Sequence, residues 1–118
     1  MKHQIDRKKL NLKAPHRRAL IRNQAIVFIE HGHLTTTKAC AKEVSRFAER
    51  LVTLARNGNT FNFRRQALML LPYKQEALDK LFKEIAPRYT YRPGGYTRLI
   101  RLGRRVSDTA EMARIEWV

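Results

Sequence analysis

The apolar residues of this chain change their spacing after Pro87. Before that residue they recur every three or four positions, which is the period of an amphipathic helix. After it they fall at alternate positions between turn residues, which is the pattern of a half-buried strand. Because the two periods occupy separate parts of the chain, the sequence predicts a two-layer α+β domain with helices packed on a small sheet.

The predicted order of elements is helix, strand, three helices and two strands. Pro15 suits a first helical position and Gly32 suits a helix end, which places the first helix over 15–31. The other predicted helices begin after Thr36 or Thr37, after Thr60 and at about Lys74, and Pro87 ends the last one. The predicted strands are 33–37, 96–102 and 111–118, and the last two suggest a hairpin with an arginine-bearing loop. Residues 1–14 are predicted to be an extended basic arm, and 15–118 a single RNA-binding domain.

The predicted inward faces follow from the same spacing. In the first helix the apolar stripe includes Phe28 and Ile29, with Arg17, Arg18 and Arg22 assigned mainly to the polar side. In the last helix the inward residues are Ala77, Leu78, Leu81, Phe82 and Ile85.

The charge of the chain is concentrated in two segments. There are 25 Lys and Arg residues against 10 Asp and Glu, a formal net charge of +15 over 118 residues. Residues 1–22 hold eight basic residues and one acid, and residues 88–105 hold six arginines and no acid. Such an excess repels itself in a compact chain unless a polyanion neutralises it. The pattern therefore predicts a nucleic-acid footprint with two contact zones.

Other classes of function lack a matching pattern. The apolar runs 25–29 and 67–71 are too short to span a membrane. No apolar signal region follows the basic start. Cys40 is the single cysteine, so there is no disulfide framework, which favours an intracellular chain. We interpret Cys40 as a buried filler and His31 as a helix-terminal histidine, because no further ligand pair accompanies His31 and His33. No nucleophile set, paired carboxylates or phosphate loop is found. The sequence thus predicts no catalysis, no metal, no cofactor and no small-molecule substrate.

The candidate contacts in the first zone are basic residues that can lie between phosphates, the arm becoming ordered on RNA. They are Lys2, His3, Arg7, Lys8, Lys9, Lys13, His16, Arg17, Arg18 and Arg22. A solvated tail is the alternative for this zone. Arg64 is a further candidate, for which a solvated helix face is an equal alternative.

The second zone combines three residue types that suit RNA. Arginine offers a fork of donors to phosphate, tyrosine can stack on an unpaired base, and paired glycines let the backbone approach a sugar-phosphate chain. The three tyrosines of the segment are Tyr89, Tyr91 and Tyr96, and a place in the core is an equal alternative for Tyr96. The candidates are Arg88, Arg92, Gly94, Gly95, Tyr96, Arg98, Arg101, Arg104 and Arg105.

Several motifs resemble one known family nearly end to end. They include the opening Met1-Lys2-His3, the pair Arg22-Asn23, and the run His31-Gly32-His33-Leu34-Thr35-Thr36-Thr37. The most specific is Arg92-Pro93-Gly94-Gly95-Tyr96-Thr97-Arg98. With these motifs the chain resembles the seventeenth protein of the bacterial large ribosomal subunit.

The resemblance implies a structural, non-catalytic protein of α+β fold that binds large-subunit rRNA near the exit of the peptide tunnel. It adds Asn23 to the candidate contacts and implies neighbouring large-subunit proteins as partners, with no membrane and no homo-oligomer on the ribosome. It implies a cytoplasmic ribosome, and an organellar one stays open. The first alternative is a nucleoid-type DNA-binding module, because duplex DNA would be attracted by the same positive charge. The others are an RNA-processing enzyme and a cationic membrane-active protein.

Overall fold

The structure, a computed structural model, describes residues 9–72 and 74–118. Four α-helices pack with a three-stranded antiparallel sheet, which confirms the predicted α+β class. In chain order the elements are α1 (Ala14–His31), β1 (His33–Thr37), α2 (Lys38–Ala55), α3 (Phe61–Leu70), α4 (Gln75–Lys80), β2 (Thr97–Arg104) and β3 (Glu111–Trp117).

Two of the predicted helix boundaries rest on local chemistry that the structure shows. Gly32 takes the left-handed conformation at φ 82°, and its N–H donates to the carbonyl of Phe28 at 2.8 Å, which ends α1. The Thr60 hydroxyl accepts from the N–H of Phe63 at 3.5 Å at the start of α3. Thr37 holds the N-cap position of α2, but its side chain makes no capping hydrogen bond.

The predicted fourth helix is wrong in its second half. After Lys80 the chain widens into a π-helical turn, Leu81–Ile85, and then tightens into a 3-10 helix, Ala86–Tyr89. Pro87 does not end the helical segment, because it stands in the first turn of the 3-10 helix, where no N–H is needed. The predicted inward residues of this segment are nevertheless all buried.

The sheet has the order β1-β3-β2, so the C-terminal strand lies in its centre. Leu34 of β1 and Leu99 of β2 both lie opposite Ile115 of β3, and these three side chains face the helices. The predicted hairpin of the last two strands is confirmed. The register shifts between Arg101 and Gly103, where β2 contains a bulge.

Helix α2 joins two apolar clusters. Toward its N-terminus Val44 and Ala48 pack with Phe28 of α1 and with the inward face of the sheet. Toward its C-terminus Leu51 and Val52, on the same face of the helix, pack with residues of α3, α4 and the π-helical turn. The side chain of Trp117 contacts both clusters, and its ring centroid lies 4.2 Å from that of Phe28. Because α2 is buried along its whole length by the two clusters, the residues at its C-terminus can hold the segment that follows the 3-10 helix.

Candidate nucleic-acid interface

The N-terminal half of α1 extends beyond the core. The buried residues of α1, from Ala25 to Ile29, all lie in its C-terminal half. In the N-terminal half His16 and Arg18 are exposed, as is Asn23 near its middle, while Arg17 and Arg22 are half-buried. Arg18 is exposed, as expected for the polar side, whereas Arg17 and Arg22 are half-buried. By helical spacing Arg18 and Arg22 continue the stripe of Ala25 and Ile29 on the N-terminal side of the buried residues.

A tight turn leads into this basic half-helix. Leu10 and Asn11 have φ angles of 59° and 54°, and the N–H of Leu12 donates to the carbonyl of Lys9 at 3.2 Å. The Arg17 guanidinium donates to the carbonyl of Leu12 at 3.3 Å and so ties the turn to α1. Lys9 and Lys13 are exposed on the turn. The candidates Lys2, His3, Arg7 and Lys8 lie outside the described residues.

The end of the β2–β3 hairpin projects from the body of the domain. Every residue from 100 to 109 is exposed, including Leu102 at 51% and Val106 at 100%. Four of the six arginines of the second segment belong to β2 and the loop after it: Arg98, Arg101, Arg104 and Arg105. All four are exposed, and Arg98 and Arg101 lie opposite Glu116 and Ala113, which places them on opposite faces of the ribbon.

The arginines of this segment differ in their electrostatic partners. Within the described part of the chain, no carboxylate forms an ion pair with Arg88, Arg98, Arg101 or Arg104. Arg105 is bound by both carboxylate oxygens of Asp108, at 2.9 and 2.7 Å. This pair raises the pKa of the Arg105 guanidinium and, with the N–H of Ala110, lowers the pKa of the Asp108 carboxyl to about 2. Arg92 also has no carboxylate partner among the described residues, since it donates only to a backbone carbonyl. Five of the six arginines are thus unneutralised, which suits a surface that binds phosphates.

Arg64 stands apart from both zones. Its guanidinium forms an ion pair with Asp79, donates to the side-chain oxygen of Asn59 at 3.1 Å, and stacks on the ring of Phe82. The hydrogen bond from Arg64 lowers the pKa of the Asp79 carboxyl. These contacts join α3 to α4 and give Arg64 a structural role inside the domain.

The three tyrosines of the second segment have different environments. Tyr96 is 1% exposed and Tyr89 is 4% exposed, and their rings pack at a centroid distance of 5.1 Å. Burial raises the pKa of the Tyr89 hydroxyl, which donates to the carbonyl of Val118 at 2.9 Å. Tyr91 is 99% exposed. The ring of the candidate Tyr96 is therefore part of the core, and only Tyr91 presents an open aromatic face.

The backbone around the glycine pair is open on its outer side. Arg88, Arg92, Gly94 and Gly95 are exposed, and a Cβ added at either glycine would meet no atom within 4 Å. Gly95 has a φ of 72°, which favours glycine, and its carbonyl accepts from the Arg92 guanidinium at 3.1 Å. This arrangement leaves a strip of bare backbone beside an exposed arginine.

Sequence reasoning missed two residues that hold the second segment in place. Arg56, just after α2, donates to the hydroxyl of Tyr96 at 2.8 Å and also to the carbonyl of Arg92. Glu49 accepts from the N–H and the hydroxyl of Thr97 at 3.2 and 2.9 Å. Both lie about 40 residues or more from their partners in the sequence, so no local pattern could reveal them.

Residues 9–72 and 74–118 contain no group of three His, Cys, Asp or Glu side chains placed to hold a metal ion. His31 and His33 are both exposed, and Cys40 is half-buried. Within the same ranges no helix has the length and apolar character needed to cross a membrane.

Comparison with known proteins identifies the family. Residues 20–118 match the family described as ribosomal protein L17. The "large ribosomal subunit protein bL17" of Gemmatimonas aurantiaca is 47% identical over 118 residues, covering 100% of this chain and 98% of that protein. Proteins with the same name from Neorickettsia sennetsu and Syntrophotalea carbinolica are 45% and 42% identical, covering all of this chain and 100% and 75% of those proteins. The chain therefore belongs to the ribosomal protein L17 family, which is a family of ribosomal proteins and not of enzymes.

Proposed function

We propose that this chain is a structural constituent of the large ribosomal subunit and binds its rRNA at two zones. The first zone is the N-terminal arm with the projecting half of α1. The second is the 3-10 helix, the glycine pair and the β2–β3 hairpin. The observation that carries the proposal is the set of five arginines, on and beside an exposed hairpin, that have no carboxylate partner among the described residues, in a chain whose relatives are named as large-subunit proteins.

The proposed contacts divide by chemistry. Phosphate contacts are assigned to basic side chains, and the open backbone of Gly94 and Gly95 is assigned to close approach. Arg64 and the ring of Tyr96 support the fold and are not assigned to RNA. Arg105 is a secondary contact because Asp108 already binds it. The proposed phosphate contacts are Lys2, His3, Arg7, Lys8, Lys9, Lys13, His16, Arg17, Arg18, Arg22, Arg88, Arg92, Arg98, Arg101 and Arg104, with Asn23 beside them.

The resemblance extends the proposal to a place in the particle. It puts the chain near the exit of the peptide tunnel of a cytoplasmic ribosome, in contact with neighbouring large-subunit proteins and as a single copy. The projecting hairpin and half-helix suit such a place, because they can enter grooves between RNA helices that a flat surface would not reach.

Binding of folded rRNA in competition with duplex DNA at equal phosphate concentration tests the proposal. We expect rRNA to compete more strongly, and we expect log affinity to fall against log salt with a slope of about −6 to −7, from single-stranded to duplex RNA, if about eight phosphates are neutralised. The chain should also migrate with large subunits through a high-salt gradient. Stronger competition by DNA would favour the nucleoid-type alternative, and a slope near zero would overturn the electrostatic basis of either reading.

A further inference from the structure

Helix α3 carries apolar side chains on the side that faces away from the domain. Only Ala67 is fully buried within this ten-residue helix. Phe61 is 79% exposed, Met69 is 73% exposed, and Leu68 is 36% exposed. The helix packs mainly on α2 and α4, and it stands clear of the sheet and its hairpin. A helix that buries so few of its residues leaves most of its apolar side chains in water unless another molecule covers them.

Two open grooves flank α3. The larger, of about 530 Å³, runs between α2 and α3, where Leu54, Met69 and Leu70 line it beside Arg50. The smaller, of about 330 Å³, lies between α3 and α4. Phe61, Leu68 and Leu78 line it together with Arg64 and Arg65. The helix is thus a ridge between two mainly apolar depressions, and we call this surface the α3 ridge.

The charge of the α3 ridge indicates the chemistry of its partner. Among residues 9–72 and 74–118, no acidic side chain lines either groove. The charge of Arg64 is met by Asp79, but no ion pair in the described part of the chain involves Arg50 or Arg65. One cation therefore remains on each side of the ridge, and a partner must supply carboxylates if it buries them.

The residue types favour a protein over RNA as this partner. Phe, Met and Arg are enriched where proteins meet, and the exposed aliphatic groups of Leu68 and Met69 offer nothing to a phosphate chain. The second RNA zone also exposes apolar side chains, among them Leu102 and Val106. There, however, five arginines have no carboxylate partner among the described residues, against one such arginine in each groove of the α3 ridge. Exposed apolar patches rimmed by polar groups are typical of protein interaction sites.

We propose that the α3 ridge docks an apolar segment of a second protein that carries carboxylates. Apolar side chains of this segment would enter the two grooves on either side of Met69, and its carboxylates would meet Arg50 and Arg65. The inference extends the proposed contact with neighbouring subunit proteins. It rests on the proposed function for the location of the partner, which is the large subunit. The chemistry of the partner follows from the residues of the α3 ridge alone.

Site-specific photocrosslinking in growing cells tests the proposal. The full chain carries the change Phe61→p-benzoylphenylalanine, which keeps an aromatic ring at an exposed position. We expect an RNase-resistant product, joined to an apolar segment with Asp or Glu residues when mapped by mass spectrometry. Adding Arg65→Glu should reduce the yield about tenfold or more, since like charges then face each other. Lys42→Glu, an exposed change of equal charge near the start of α2, should leave the yield unchanged.

Each other outcome overturns the docking proposal. An RNA product, no product, a product insensitive to Arg65→Glu, or a mapped segment without carboxylates all exclude it. A second position separates this failure from failure of the proposed function. The change Val106→p-benzoylphenylalanine in the hairpin loop should yield an RNA product, and its absence counts against rRNA binding while position 61 still reports on the α3 ridge.

Discussion

The guanidinium of Arg56, just after the end of α2, donates a hydrogen bond of 2.8 Å to the phenolic oxygen of Tyr96. The same guanidinium donates to the carbonyl of Arg92. One side chain thus fixes both ends of the exposed segment that contains the glycine pair. The segment is held in one conformation before RNA binds, which lowers the conformational entropy that the chain must lose on binding.

Replacing Arg56 should therefore loosen the segment. We expect Arg56→Met to lower the free energy of unfolding by about 1–2 kcal/mol, because it removes two partly exposed hydrogen bonds from a charged donor. Urea unfolding followed by circular dichroism measures the change. Tyr96→Phe, which removes only one of these bonds, should cost less than Arg56→Met. Equal losses, or none, would contradict the shared role of Arg56.

Tyr91 should contribute to RNA binding through its ring. The turn that carries it is anchored by the N–H of Arg92, which donates to the carbonyl of the buried Tyr89 at 3.1 Å. Base–aromatic stacking predicts that Tyr91→Ala weakens binding of an oligouridine strand about 5- to 150-fold, while Tyr91→Phe keeps most of the affinity. Fluorescence anisotropy with labelled RNA measures both.

Two controls make the Tyr91 result specific. A blunt RNA duplex with the same number of phosphates offers no unpaired base, so Tyr91→Ala should not change its affinity. Phe61→Ala removes another exposed ring, outside both RNA zones, and should leave oligouridine binding unaltered. If Tyr91→Ala weakens the binding of both RNAs equally, or if Tyr91→Phe loses as much affinity as Tyr91→Ala, stacking on an unpaired base is the wrong explanation.

The arginines of the hairpin should contribute unequally to the salt dependence of binding. Each phosphate contact that is lost reduces the slope of log affinity against log salt by about 0.7–0.9. We expect this reduction for Arg101→Ala and Arg104→Ala, which have no carboxylate partner, and a smaller one for Arg105→Ala. Binding titrations of folded rRNA at several salt concentrations give the slopes. The same slope for all three variants would show that Asp108 does not restrain Arg105 in the complex.

The order of secondary structure could be predicted from the sequence because each element carries its own signal. Gly32 and Thr60 act through contacts with residues three or four positions away, and the apolar spacing follows the period of the element. The π-helical turn could not be predicted. Its apolar spacing, from Leu81 to Ile85, fits an α-helix equally well, and only the backbone hydrogen bonds distinguish the two.

The candidate interface was predictable as two segments but not residue by residue. Net charge identifies the segments, whereas the exposure of each side chain depends on packing between distant parts of the chain. The sequence favours Tyr96 over Tyr91 as a contact, although the ring of Tyr96 is buried in the core beside that of Tyr89. The spacing of Arg18 and Arg22 could not show that α1 continues past the core. Local patterns report the period of an element, and they do not report where its neighbours end.

The hairpin loop should lose its order in acid within a defined pH range. Both oxygens of the Asp108 carboxylate accept from Arg105, and one also accepts from the N–H of Ala110 at 3.1 Å. These bonds lower the pKa of this carboxyl from 3.8 to about 2. A carboxyl whose pKa is lower in the folded state stabilises that state fully above its unfolded pKa, which is about 3.9, and loses the effect as the pH falls through its folded pKa. Loop order should thus be complete above about pH 4 and decline toward pH 2.

Amide chemical shifts of residues 105–110, recorded by NMR between pH 2 and pH 6, measure this transition. Asp108→Asn removes the titrating group, so the loop of that variant should show no transition in this range and should be less ordered at neutral pH. Asp79→Asn serves as the matched control, because Asp79 also pairs with an arginine but lies in α4. It should leave the loop transition in place. A midpoint near pH 4 in the native chain would mean that the pair with Arg105 does not persist in solution.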